Sequence, residues 1–313
     1  MTPGPIAGAP PATIVFATDN AYCQHLAVAL VTLFEHNQHL AFDIRIVCVA
    51  VAEANKQRLL AVCQAHGRSA RFLDFDPTPY VGFRVDGHIT WASYARIFLP
   101  ALIEPEIGRV LYLDSDIVVL DAIDPLLDTD IGDHPIAGIP QPFTDRREEL
   151  GIPADKPYVN AGVLILNLDV WRREAMTGRL VEFIEANAPR LKFHDQDTLN
   201  AFFHDRVLAL PFRWNLHHHV FAATAQRLGC SDAERRRIFA EPGIVHFTTA
   251  SKPWHFVNDH AFKRAYLRAL RKTPYRDYRY PDLTPWNVGW KLGRRLKWAL
   301  MRLGGRPRNL RYM

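Results

Sequence analysis

The 313-residue chain has no run of eighteen apolar residues, so no segment is expected to cross a membrane as a helix. Cysteine is scarce: Cys23, Cys48, Cys63 and Cys230 show no CxxC pairing, and each lies within or beside an apolar segment. That argues against a disulfide framework and predicts buried free thiols, as suits a reducing compartment. Residues 1–12 are Pro, Gly and Ala without a charged start or a long apolar core. They do not read as a signal peptide and are expected to be disordered. Acid is missing from residues 283–313, which hold eight basic residues: Lys291, Arg294, Arg295, Lys297, Arg302, Arg306, Arg308 and Arg311. Of 38 basic residues, 30 remain against 33 acidic ones, so the body carries −3 and the tail +8. Hydrophobic residues at 48% and charged residues at 23% exclude a disordered chain, and the length suits one or two domains.

What is present centres on Arg109-Val-Leu-Tyr-Leu-Asp114-Ser115-Asp116-Ile-Val-Val-Leu120. The first apolar run is too short for a helix and reads as a buried strand that feeds two carboxylates into solvent. Asp114 and Asp116 sit two apart, within reach of one cation, at the carboxyl end of a strand, where open α/β sheets bind ligands. A surface turn would also use Asp and Ser, but the apolar run resumes at once at Ile117, which a turn explains poorly. Upstream, 13–17, 43–50 and 70–75 read as strands, while 22–34 and 52–66 carry helical spacing. This alternation predicts a parallel, doubly wound sheet.

Several polar residues stand in unusual settings. A helix is expected from near Thr90, with Arg96 among apolar neighbours, either solvated or paired with an anion. Residues 141–156 read as an exposed loop. Ala161 and Gly162 open an apolar strand and predict close approach of its backbone to something else. Residues 171–186 read as one amphipathic helix. Asp195 reads as a helix N-cap, but Asp195-Gln196-Asp197 offers more acid than a cap needs. His217-His218-His219 could bind a metal, except that adjacent side chains of a strand or loop point different ways. His246 through Trp254 gathers an imidazole, hydroxyls and the Lys252 ammonium within one strand-to-loop stretch; a lone histidine is usually structural, yet this set also suits a metal and a diphosphate.

Phe16-Ala-Thr-Asp19, Ser93-Tyr-Ala-Arg96, Tyr112-Leu-Asp-Ser-Asp116, Asn160-Ala-Gly-Val163, Asp195-Gln-Asp197 and His246…Lys252-Pro-Trp254 form an ordered set. Through it the sequence resembles glycosyltransferase family 8, the retaining sugar-nucleotide transferases of the GT-A fold, bacterial lipooligosaccharide α-galactosyltransferases in particular. The likeness runs over residues 14–254. It implies an α/β fold with a Rossmann-like, nucleotide-binding mixed sheet flanked by helices, followed by a basic C-terminal helical tail. Residues 13–258 would be the catalytic domain and 259–313 a helical, basic, membrane-associating segment.

The resemblance further implies that Asp114, Asp116 and His246 hold Mn²⁺, with Mg²⁺ as the alternative. Ala17 and Asp19 match uridine contacts, and Arg96 matches a contact to nucleotide or donor sugar. Ser115 and Thr249 are counted with the donor site, and Lys252 matches the diphosphate cation. Asn160, Asp195 and Gln196 match residues facing the sugar, the last two being the catalytic candidates. Three departures stand out: Thr249 in place of Gly, Asn20-Ala21 near the uridine, and Pro140-Gln141-Pro142 where relatives supply an acceptor-binding acid. The implied reaction moves galactose or glucose from a UDP-sugar to a saccharide or glycolipid in lipopolysaccharide or lipooligosaccharide synthesis. Its rivals are a metal-dependent phosphohydrolase and a non-catalytic sugar-nucleotide-binding protein. No nucleic-acid partner is expected.

The tail adds a location. If residues 287–303 are helical, Val288, Leu292, Leu296, Ala299, Leu300 and Leu303 share one side, with Lys291, Arg294, Arg295 and Arg302 opposite and Trp290 and Trp298 beside them. Such a helix suits an anionic membrane surface, which predicts a cytoplasmic enzyme held peripherally on the inner face of the cytoplasmic membrane.

Overall fold

Short apolar runs become strands wherever helices can cover both of their faces, and the computed structural model builds the chain on that pattern. It describes residues 11–80, 83–85 and 90–303, with side chains up to residue 297. Residues 1–10 and 304–313, and the side chains of Trp298, Ala299, Leu300, Arg302 and Leu303, lie outside the described part. The strands are β1 (Ala12–Asp19), β2 (Phe42–Val49), β3 (Ala70–Asp74), β4 (Arg109–Leu113), β5 (Ile117–Val119), β6 (Ile136–Pro140), β7 (Val159–Asn167), β8 (Val207–Ala209) and β9 (Ile244–His246).

The main sheet runs β3-β2-β1-β4-β7-β6-β8. The first four of these are parallel, as the strand–helix alternation predicts. Beyond them the parallel pattern read from the alternation stops: β7 lies antiparallel to both β4 and β6, so the sheet is mixed, as the family resemblance implies. β5 leaves the main sheet and pairs antiparallel with β9, setting Ile117 opposite His246. Asp114, Ser115 and Asp116 are therefore the step between two sheets, which is why a second apolar run follows the acids without a gap.

Helix Cys23–His36 covers one face of the main sheet, and helices Leu168–Arg173, Met176–Asn187 and His194–Phe203 cover the other. Thr90 caps the short helix Trp91–Tyr94, its hydroxyl accepting from Ala92 N–H. Cys23, Cys48 and Cys63 are buried, Cys230 is half-buried, and all four are free.

Three expectations change. Residues 171–186 are not one helix: Ala175, at φ 50°, breaks the periodic stretch into two. Residues 141–156 are not an exposed loop: Gln141 and Arg146 are buried, and Arg146–Leu150 is a helix stopped by Gly151 at φ 74°. The tail helix, Pro285–Leu303, does form. It docks, however, through its cations: Lys291 Nζ lies 3.1 Å from Asp259 Oδ1, and Arg294 pairs with the same carboxylate. Leu292 and Leu296, on the apolar side of the helix, are 60% and 63% exposed. Among the described residues, no helix is long and apolar enough to cross a membrane.

Candidate active site

The carboxyl ends of β1 and β4, the start of β7 and the end of β9 meet at a cleft of about 510 Å³. All twelve site residues expected from the sequence line it: Ala17, Asp19, Arg96, Asp114, Ser115, Asp116, Asn160, Asp195, Gln196, His246, Thr249 and Lys252. Ser115 fixes the step between the sheets by donating from Oγ to the Ala17 carbonyl at 2.8 Å.

Asp116 is buried between His246 and Lys252. Its Oδ1 lies 3.0 Å from His246 Nε2 and its Oδ2 accepts from Lys252 Nζ at 2.7 Å. Burial would raise the pKa of this carboxyl, but Lys252 and then His246 outweigh it and hold Asp116 well below the usual carboxylate range. Asp114 Oδ1 accepts from Arg96 Nη2 at 2.9 Å and from the Tyr112 hydroxyl at 3.1 Å, while its Oδ2 faces His246 Nε2 at 3.6 Å. One ligand atom from each of Asp114, Asp116 and His246 falls within 4.8 Å of the others.

The orientation of His246 follows from backbone. Gly162 N–H donates to Asn160 Oδ1 at 3.1 Å, so that atom must be the amide oxygen. His246 Nδ1 lies 3.1 Å from the same oxygen and must be the donor; in the neutral form that binds a metal, Nε2 is then the lone pair that faces the two acids. This outer bond is the kind that orients a ligating imidazole. Gly162 is the close approach predicted for its strand: a Cβ there would lie 2.1 Å from His246 Cε1 and 2.7 Å from Asp114 Oδ2.

Arg96 resolves toward the anion-paired reading. It is 3% exposed, bridges Asp114 and Asp195, bonds the Ala161 carbonyl, and stacks over the Tyr112 ring at 4.4 Å. Asp195 is not the N-cap of its helix; Phe193 holds that position, and Asp195 is buried in the first turn. Burial pushes the Asp195 carboxyl up to about 6, against the pull of Arg96. Gln196 Oε1 accepts from Asn160 Nδ2 at 2.9 Å and from Ala161 N–H at 3.1 Å, and its Nε2 donates to the Tyr158 hydroxyl at 3.1 Å. Asp19 spends one oxygen on the N–H groups of Ala21 and Tyr22, starting the next helix from the cleft wall. Thr249 is half-buried and donates to the Ser251 carbonyl.

Some neighbours were missed. Asn215, fully buried, donates to Asn160 Oδ1 at 2.8 Å and helps hold the His246 support, and nothing in its local pattern marks it. Asp197, fully buried, pairs with Arg146 at 2.7 Å and accepts from the Tyr158 hydroxyl at 2.6 Å, bracing Gln196 from behind. The two acids flanking Gln196 were the available signal, but Arg146 lay in a stretch read as solvent-exposed. His218 and His219 also line the cleft, contrary to the expectation that the three histidines diverge.

Comparison with known proteins narrows the identity. The family profile described as Glycosyl transferase family 8 matches residues 13–258. The chain is 30% identical over 285 residues to General stress protein A of Bacillus subtilis (strain 168), covering 88% of this chain and 94% of that one. It is 21% identical over 270 residues to Lipopolysaccharide 1,2-glucosyltransferase of Escherichia coli (strain K12), covering 84% and 79%. Among solved structures, the galactosyltransferase LgtC in complex with donor and acceptor sugar analogs aligns with a TM-score of 0.75 at 28% identity, covering 84% of this chain and 96% of that one. The mixed sheet with helices on both faces is the GT-A fold of that enzyme, and with the profile spanning most of the sequence, the chain belongs to glycosyltransferase family 8.

Proposed function

We propose that this glycosyltransferase moves galactose or glucose, with retention, from a UDP-sugar to a saccharide or glycolipid acceptor of lipopolysaccharide or lipooligosaccharide synthesis. Asp114, Asp116 and His246 would hold the divalent ion, Mn²⁺ or Mg²⁺. Two carboxylate oxygens and an imidazole nitrogen already converge within 4.8 Å, and such a mixed donor set suits Mn²⁺. That convergence is the observation that carries the reading. A bound dication would supply Lewis-acid neutralisation of the diphosphate leaving group.

The protein's own groups do the rest. Lys252, beside Asp116, would add a fixed positive charge where the leaving diphosphate gathers negative charge, an interaction stronger in the transition state than before it. Gln196 is bonded on both sides of its amide and is a poor nucleophile, so it would orient the donor sugar. Asp195 is 4% exposed and paired with Arg96, an arrangement that favours a supporting role over attack on the anomeric carbon. Both points support attack of the acceptor from the leaving-group face, with a diphosphate oxygen taking the acceptor's proton.

Residues 13–258 would carry this chemistry, and residues 259–313 would keep the enzyme at the inner face of the cytoplasmic membrane. What supports the second half is an exposed tail face bearing Trp286, Trp290, Leu292 and Leu296. The test is a screen of purified protein with Mn²⁺ or Mg²⁺ against several UDP-sugars, reading UDP release with and without saccharide and lipid-linked acceptors. Preference for UDP-galactose or UDP-glucose is expected. Preference for a nucleotide other than UDP would overturn the donor assignment.

A further inference from the structure

We infer that His217, His218 and His219 form a second metal site, suited to a borderline transition dication such as Zn²⁺ and separate from the Asp114, Asp116 and His246 cluster. Consecutive residues can share an ion here because the backbone changes direction between them. Leu216 is bridged to Val245, His217 is still extended at φ −114° and ψ 176°, and helix His218–Ala222 begins at the next residue. The corner folds the rings together, so that one nitrogen of each lies within 4.8 Å of the others. Ring centroids are 6.1 Å apart for His217 and His218, 5.7 Å for His217 and His219, and 3.8 Å for His218 and His219.

The independent sign of a ligand is His217. It is fully buried, and neither Nδ1 nor Nε2 has a hydrogen-bond partner among the described residues. An imidazole carries one donor and one acceptor, and burying both unmet is unfavourable unless something else binds there. The neighbours are set as ligands are. His218 Nδ1 lies 2.8 Å from Thr248 Oγ1, which fixes its ring and leaves Nε2 free to coordinate. The Gln141 amide meets His219 Nε2 at 3.3 Å; turned so that its oxygen accepts from Nε2–H, it leaves His219 Nδ1 as the lone pair that would coordinate. Metal binding takes the neutral form of each ring, which offers one lone pair to the ion.

The donor chemistry differs from that of the acidic cluster. Three neutral nitrogens suit Zn²⁺, with Zn–N near roughly 2.0–2.1 Å, better than an oxygen-seeking Mg²⁺ or Mn²⁺. His217 closes the site from the interior, while His218 and His219 line the cleft, so a fourth coordination position would face the cleft.

The experiment uses the untagged full chain, because a purification tag would supply imidazoles. Zn²⁺ binding is measured by equilibrium dialysis in excess Mn²⁺, and Co²⁺ serves as a probe whose visible absorption reports tetrahedral coordination. One Zn²⁺ per chain is expected to persist in excess Mn²⁺ and in Asp116→Asn. His218→Gln and His219→Gln should each weaken it by more than the roughly 100-fold that loss of a mere orienting partner costs, with circular dichroism verifying the fold. Zn²⁺ lost in Asp116→Asn but held normally by both histidine variants would overturn the proposal, as would no Zn²⁺ retained in excess Mn²⁺. The readout is binding, so it stands apart from the donor and acceptor assignments.

Discussion

A single methyl group decides whether His246 and Asp114 can share one corner of the cleft. At Gly162 a Cβ would sit 2.1 Å from the imidazole, closer than any real contact, so the ring or the strand must shift. Gly162→Ala is expected to cost about 1–3 kcal/mol of stability as an overpacking change and to lower turnover by roughly 100-fold through misplacement. UDP release and thermal melting check both, and turnover near wild type would refute the idea that His246 must stay where it is. Asp116→Asn keeps the size but removes the charge that Lys252 and His246 share, so metal-dependent turnover should vanish while the fold remains. Asp195 offers a pH test. Its carboxyl is raised from 3.8 to about 6, so the folded state binds the extra proton between those values. Its contribution to stability therefore falls as pH rises through that window, by on the order of 3 kcal/mol in all, and the penalty is complete above about pH 6. Wild-type stability minus that of Asp195→Asn should decline between pH 4 and 6. A flat difference would mean that the carboxyl does not titrate there.

At the scale of elements, the Arg146–Leu150 helix shows what a polar stretch can conceal. Arg146 is 1% exposed because Asp197, on a different helix, meets it, and no hydrophobic period records a partner that distant in sequence. Arg146→Met should leave Asp197 buried with its hydrogen bonds but without its countercharge, at a cost of about 3–5 kcal/mol, and the double variant with Asp197→Leu should regain much of the loss. Denaturant titrations of the three proteins decide it; equal losses in single and double variants would exclude an ion-pair cause. The parallel half of the sheet was legible because apolar runs alternate with helical spacing from β1 to β4. The reversal at β7 was not, since a run such as Val163 to Leu166 is equally apolar in either direction. Ala175 hid a helix break because alanine favours helix, and the helical period continues across it. Asp19, Asp114 and Asp116 were readable because each ends or begins an apolar run, and Asp195 and Gln196 because their motif holds more acid than a cap needs, whereas nothing local marks Asn215.

Over the whole molecule, charge and exposed apolar surface meet in the tail. Lys291 and Arg294 are spent on Asp259 and on the carbonyls of Phe256 and Val257, whereas Arg295 and Lys297, the other cations among the described side chains of this helix, are exposed. Beside them stand Trp286 at 81% exposure, Leu292 and Leu296. A smaller cavity of about 210 Å³ is lined by His246 and His218 of the active cleft together with Asp259 and Arg294, so the tail helix shares a cavity with residues of the site. Removing residues 283–313 would strip Asp259 of both partners and expose this cavity, and lost activity in such a truncation would say nothing about membranes. Surface substitutions avoid that confusion. Each exposed cation should add on the order of 1 kcal/mol to binding of anionic lipid, a contribution that salt screens, and the aromatic and aliphatic face should add one that salt does not. Arg295→Glu with Lys297→Glu should therefore weaken binding to anionic liposomes mainly at low salt. Trp286→Ser with Leu292→Ser and Leu296→Ser should weaken it at low and high salt alike, and both sets should leave turnover of a soluble acceptor unchanged. Liposome binding equal to wild type in both sets, at both salt concentrations, would remove the tail from any membrane role.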